Sequence, residues 1–409
     1  QDYVLDAIRA LSVLSIIAFH VVIGVTQIYD YEKTKQYILS MPRMLQPLWH
    51  GEKGVDAFFL ISALVLGLPL FKKLEEFGRS ATLDFYKRRF FRIYPLFLLA
   101  LVLYTVGQWS YFGKYFLSNL FLINNFIPGE RTIVPVGWSL LVEVQYYLIL
   151  PIFLILLKNT SQRLVLLSFA FLSSFAVCAF RLFYYPDLYL RPMTDVFLSE
   201  DHAKFRALVG EVLYESNLTR FGPFVLGLLV AYLRAIHNEK MQKLFSIGWV
   251  GYLIATISLV LISLAVGVPL YDPSSFYYSS FSTELNFIFL MSQRQIFALG
   301  LALFIFGCWY SKLKVFSICR EICRSRFWLP LSRLSFPIYL FHFPFIAIAA
   351  VIVFGTTNEK EVIYVSFFQG ISLFVLATTL TVLFSIPLYV YVERPFTEKG
   401  RAPSRRTMV

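Results

Sequence analysis

Charge is what this chain has least of. Asp, Glu, Lys and Arg make up 15% of its 409 residues, while 58% are hydrophobic. A soluble domain is about one quarter charged, so the shortage excludes an ordinary soluble fold and points to a polytopic membrane protein. Cysteine is scarce too: four residues do not make a disulfide framework. Cys178 and Cys308 lie in apolar runs, and Cys319 and Cys323 stand a helical turn apart in a basic loop with no flanking His. All four are read as reduced, and no metal site is expected. No internal repeat or low-complexity segment stands out. No cleavable signal peptide is visible, because the first apolar run continues past an h-region without a small-residue cleavage site. An initiating Met is absent, so the start is expected to be trimmed.

What the chain has instead is apolar runs of spanning length, at about 4–27, 54–71, 90–107, 138–157, 164–184, 221–236, 246–267, 295–311, 334–354 and 362–391. The expected fold is therefore all-α, a polytopic integral membrane protein of about ten transmembrane helices. One domain over 1–398 is followed by a basic tail, 399–409. The net charge of +12 sits in alternating connections. Lys72–Arg92, Lys158–Arg163, Arg234–Lys243, Lys312–Arg326 and the tail are basic, whereas 28–53, 108–137, 185–219, 268–294 and 355–361 are mixed, near neutral or acidic. The positive-inside rule then places both termini in the cytoplasm and assigns the charge to the membrane surface rather than to nucleic acid. Tyr115–Phe126 is apolar but too short to span, and reads as re-entrant or interfacial.

Against this background a few polar residues stand out. Arg9 and His20 sit in the first run, eleven positions apart. At about 100° and 1.5 Å per residue they share a helix face, roughly 16 Å apart along the axis. Ionisable groups at membrane depth are costly and mark functional pathways by default. Both are expected to look into one interior groove. Asp56, Glu143, Trp138 and Gln145 fall at the outer level in this topology, where either carboxylate can orient His20 as a base. Each also has a structural reading: Asp56 as a helix cap, Glu143 as a hydrogen-bond hub, His20 as a packed polar residue. Arg88, Arg89 and Arg92 cluster at the cytoplasmic entry of the third run. Guanidinium forks bind phosphate bidentately, although a positive-inside anchor has the same composition. Ser335, Tyr339 and His342 follow at i, i+4 and i+7, between prolines, and either line a cavity or make a kinked helix contact. Glu393 leaves the last run as a candidate structural partner for the cytoplasmic arginines.

In this order the segments resemble the acyltransferase-3 family of membrane acyltransferases. The matching residues are Arg9 and His20, Gly54-Val55-Asp56-Ala57-Phe58-Phe59, Arg88-Arg89-Phe90-Phe91-Arg92-Ile93-Tyr94-Pro95 and Trp138 through Tyr147. Arg220-Phe221 with Gly227, Ser335 through Pro344, and Glu393-Arg394-Pro395 complete the set. The resemblance implies His20 as catalytic base with Arg9 as its companion, Arg89 and Arg92 as binders of acyl-CoA, and Glu143 as a required residue. It implies transfer of an acyl group, usually acetyl, from cytosolic acetyl-CoA to a hydroxyl of a cell-surface or lipid-linked glycan. Lipopolysaccharide O-antigen in a bacterial cytoplasmic (inner) membrane is the leading case. Two positions depart from the family pattern: Ala63 stands where Gly is frequent, and Val144 where a second Glu is frequent. No SGNH-type hydrolase domain is expected, so the chain transfers directly or serves as an acyl-delivery subunit. For the transition state, Trp138, Tyr339 and His342 are the candidate oxyanion donors. A secondary transporter or flippase is the rival class, though no paired repeats with broken helices support it.

Overall fold

A computed structural model describes residues 2–28, 31–73, 78–106, 113–127, 132–158, 161–192, 208–270, 272, 274–358, 361–362 and 364–401. Among the described residues there is no strand, and ten helices are long and apolar enough to cross a membrane. This is an all-α polytopic membrane protein. Such helices satisfy every backbone polar group within one segment, which a lipid interior requires. They are labelled α1 (Tyr3–Ile28), α2 (Lys53–Lys72), α3 (Arg79–Val106), α4 (Gly137–Lys158), α5 (Arg163–Tyr184), α6 (Asn217–Ile236), α7 (Gly248–Gly267), α8 (Thr283–Tyr310), α9 (Ser335–Phe354) and α10 (Phe367–Leu388).

Two helices begin well before their apolar runs, and both extensions matter. α3 starts at Arg79 rather than near 90, so much of the expected basic loop is a helical turn-by-turn display of Lys87, Arg88, Arg89 and Arg92. α8 starts at Thr283 rather than near 295, and its polar first half carries the buried Asn286, Gln293 and Arg294. Hydropathy missed that half because its polar groups face protein, not lipid. The Tyr115–Phe126 stretch forms only short helical pieces, Gly113–Tyr115, Phe116–Leu120 and Asn124–Phe126. After α10 a π-helical turn, Tyr389–Glu393, leads into a short helix, Arg394–Arg401, whose Phe396 stacks on Phe91 of α3. The first residues of the expected tail, 399–401, thus belong to a packed helix. Residues 402–409 lie outside the described residues.

Asp6 at the start of α1, the first turns of α3 and the helix Arg394–Arg401 share one end of the bundle, here called the near end. α2 lies at the centre with 67% of its span buried, whereas α5 and α7 at 22% face lipid. Small residues set the central crossings, as expected where lipid offers no hydrophobic drive between helices. A Cβ added at Gly227 of α6 would lie 2.2 Å from the Leu60 carbonyl oxygen and 2.9 Å from Ala63 Cβ. Ala63 therefore fills the one Cβ that this crossing admits. Gly227→Val is expected to force α2 and α6 apart, at the ~1–3 kcal/mol or more typical of overpacking. A lowered unfolding temperature in detergent checks this; an unchanged one would mean that the crossing is looser than it looks.

Candidate active site

A cavity of about 110 Å³ runs up from the near end between α1, α2, α3, α4 and α9. Arg9, Arg92 and Ser335 line it, then Ser62, Glu143 and Tyr147, and finally Ser139 and Tyr339. Arg9 is held by Asp6 one turn below, Nη1 to Oδ1 3.8 Å, and the same carboxylate oxygen accepts from Ser332 Oγ at 2.9 Å. Glu143 and Tyr147 are four apart on α4, so they share a face. The Tyr147 hydroxyl donates to Glu143 and lies 2.5 Å from Ser62 Oγ. Arg89 covers the Tyr147 ring at 5.9 Å. Arg92 reaches the cavity, Arg89 backs its wall, and Arg88 is exposed beside the near end. Glu393 is buried in the field of Arg92. It makes no ion pair among the described residues, and its Oε2 is unpartnered. The expected structural pair with the arginines is therefore not a direct one.

At the upper end Tyr339 OH lies 2.6 Å from Ser139 Oγ. One turn further on α9, His342 is fully buried, with Nε2 2.8 Å from Nδ1 of His20 and its own Nδ1 2.8 Å from the Tyr339 carbonyl. Phe343 packs on the His20 ring at 4.6 Å. Arg9 and His20 do project from the same face of α1. The cavity does not reach His20, however: His20 is absent from its lining, whereas Tyr339 lines it with its ring 6.0 Å from that of His342. Both nitrogens of His342 are engaged, which removes it as an oxyanion donor.

The carboxylate expected beside His20 is elsewhere. Asp56 is fully buried between Arg220 (Nη1 to Oδ1, 2.7 Å) and Arg294 (Nη1 to Oδ2, 3.2 Å). Arg220 also donates from Nε to the Tyr214 carbonyl at 2.7 Å and lies 4.9 Å over the Trp138 ring. Trp138 is thus turned to the arginine and not to the cavity. Gln145, two residues from Glu143 and so on the opposite helix face, bonds Asn125 (2.9 Å) and Asn217 (3.0 Å) outside the cavity. Neither Asp56 nor Glu143 is hydrogen-bonded to His20. The sequence reading gave no role to Arg294, Ser62 or Tyr147, and none to Arg220 beyond its place in a motif. Arg294 stood in a stretch read as loop, while Tyr147 had a signal, its spacing of four from Glu143.

Beside Asp56, Lys53 Nζ bonds Glu52 at 2.6 Å and Gln293 at 2.7 Å. Burial raises the Glu52 pKa, but Lys53 and His50 outweigh it and hold the carboxyl at about 2. Burial chiefly lowers the pKa of His50, whose Nε2 donates to the Val268 carbonyl at 2.7 Å. Both groups have depressed folded-state values, so their stabilisation is present above the unfolded pKa and lost as pH falls. Stability in detergent is expected to decline below about pH 6.5 through His50 and further below about 4.5 through Glu52. His50→Gln keeps a donor without titrating and should flatten the first decline; an unaltered slope would exclude His50 as its source.

With this geometry in hand, comparison with known proteins is decisive for the family. A family model described as an acyltransferase domain, that of the acyltransferase-3 family, matches residues 2–390. The chain belongs to this family. It is 22% identical over 421 residues to "Putative O-acetyltransferase SACOL0978" of Staphylococcus aureus strain COL, which covers 97% of this chain and 57% of that protein. It is also 22% identical over 426 residues to O-acetyltransferase OatA of S. aureus strain NCTC 8325, with the same coverage. The chain thus spans little more than half the length of these relatives. No solved structure matches it. In this acyltransferase-3 member Arg9 of α1, Arg92 of α3 and Glu143 of α4 line one cavity, and His20 of α1 lies outside its lining.

Proposed function

We propose that the chain is a membrane O-acyltransferase. It moves an acyl group, acetyl in the first instance, from cytosolic acetyl-CoA to a hydroxyl of a cell-surface or lipid-linked glycan. Lipopolysaccharide O-antigen in a bacterial inner membrane is the leading acceptor class. The observation that carries this is the cavity itself. Its arginines lie at the near end, it runs inward between five helices, and its lining includes Tyr339, whose ring is 6.0 Å from that of His342. Apolar walls (Val55, Phe58, Ile93, Leu140) with a few convergent polar groups are what a small-molecule site looks like.

Arg88 at the surface and Arg92 and Arg9 within are suited to the phosphates and amides of the donor. His20 removes the proton of the acceptor hydroxyl as its oxygen attacks the thioester carbonyl. The tetrahedral intermediate then collapses, the carbon–sulfur bond breaks, and the thiolate takes the proton back from His20. The Tyr339 hydroxyl, poised at the cavity's end with Ser139, is the nearest donor for the oxyanion. For the thioester to reach His20 the Tyr339 ring has to turn while its hydroxyl stays on the carbonyl oxygen.

A second reading is delivery of acyl groups to a separate extracytoplasmic transferase. Purified protein in liposomes, given radiolabelled acetyl-CoA on one side and glycan on the other, separates the readings. Labelled glycan supports direct transfer. Label that reaches glycan only after a soluble partner is added supports delivery. Donor that is never consumed under either condition would overturn both.

A further inference from the structure

We infer that His342 is a positioning residue that fixes the tautomer of His20 and leaves Nε2 of His20 as its proton-accepting atom. The inference rests on the reading of His20 as the base and adds which nitrogen acts and what selects it.

A carbonyl oxygen only accepts hydrogen bonds. The Tyr339 carbonyl lies 2.8 Å from His342 Nδ1, so that nitrogen carries a hydrogen. In the neutral ring His342 Nε2 is then bare. It faces His20 Nδ1 at 2.8 Å, and the hydrogen between them has to come from His20. His20 is therefore the Nδ1–H tautomer, and its Nε2 holds the free lone pair. The chain of bonds has one direction, from His20 through His342 to the backbone of α9, and a main-chain atom sets it. The second ring of a base is usually oriented by a carboxylate. Here a neutral imidazole does that work, so no second charge is buried at membrane depth, where it would be costly. When His20 Nε2 takes the acceptor's proton, the positive charge that forms is shared across the Nδ1–H···Nε2 bond. The proton then leaves from Nε2 to the thiolate, and the relay returns to its starting state without His342 exchanging a proton with solvent.

Two measurements test this. Nitrogen-15 NMR of histidine-labelled wild-type protein in lipid nanodiscs reads the tautomer without any assay. The His20 signals, assigned by their loss in His20→Gln, should show a protonated Nδ1 and a bare Nε2. A protonated Nε2 would overturn the inference. The second is steady-state kinetics. His342→Phe keeps the ring's shape but offers no acceptor, and is expected to lower kcat by about 10²–10⁴-fold with the donor KM little changed. His342→Gln, whose carbonyl oxygen can still accept from His20 Nδ1, should recover most of that loss. Equal losses in the two variants, with matched unfolding temperatures, would reduce His342 to packing. If His20→Ala is inactive while His342→Phe turns over normally, the relay alone falls. If His20→Ala stays active, the base assignment itself falls.

Discussion

His20→Ala is expected to reduce acyl transfer by about 10²–10⁴-fold, the usual worth of a positioned general base, while the protein still inserts, purifies and melts cooperatively. The substitution removes a half-buried ring that touches Phe343 and His342. It breaks one hydrogen bond, worth about 0.5–1.5 kcal/mol, and no ion pair. The effect on turnover should therefore far exceed the effect on folding. Donor binding should also survive, because the arginines that line the cavity lie at its other end. Release of CoA in the presence of glycan, measured against equilibrium binding of acetyl-CoA, separates the two. A variant that binds and transfers normally would exclude His20 as the base.

The reverse pattern is expected at Asp56. Its single negative charge serves two buried guanidinium groups, and Asp56 and Arg220 have no exposed surface. Removing one member of a buried pair typically costs about 3–5 kcal/mol, because the partner's charge is left unsolvated. Here two buried guanidinium groups lose their carboxylate at once. Asp56→Ala is expected to lose most folded protein, with any residual activity following the amount that folds. Arg220→Met alone should be similarly damaging, since it also abandons the Tyr214 carbonyl. The double variant should lose less than the sum of the singles. Additive losses would mean that the pair is not coupled, and that Arg294 alone satisfies Asp56.

These two residues show where sequence stops being informative. The Arg9 and His20 faces coincide because helical periodicity is local, and the stripe of Ser335, Tyr339 and His342 was visible for the same reason. The two stripes meet where His342 bonds His20, outside the cavity lining. The partner of His20 was not visible, because depth in a membrane ranks residues by height and not by direction. Two carboxylates at similar height, Asp56 and Glu143, looked equally placed, and the group that pairs is an imidazole 322 positions away. Asp56 was misread for a related cause. Its partners lie 164 and 238 positions away, one of them in a polar half-helix that hydropathy assigned to a loop. Gln145 and Trp138 were grouped with Glu143 by height, although a two-residue offset turns Gln145 to the other side of α4.

The most direct measurement is a cryo-electron microscopy structure in lipid nanodiscs with a non-hydrolysable acetyl-CoA analogue. The phosphates should sit against Arg88 and Arg92, and the arm should pass Arg9 and Glu143. The Tyr339 ring should be displaced, with the acyl carbon within reach of His20 Nε2. An analogue seated outside the cavity, or an occupied cavity with Tyr339 still closed between the acyl group and His20, would contradict direct transfer by this histidine.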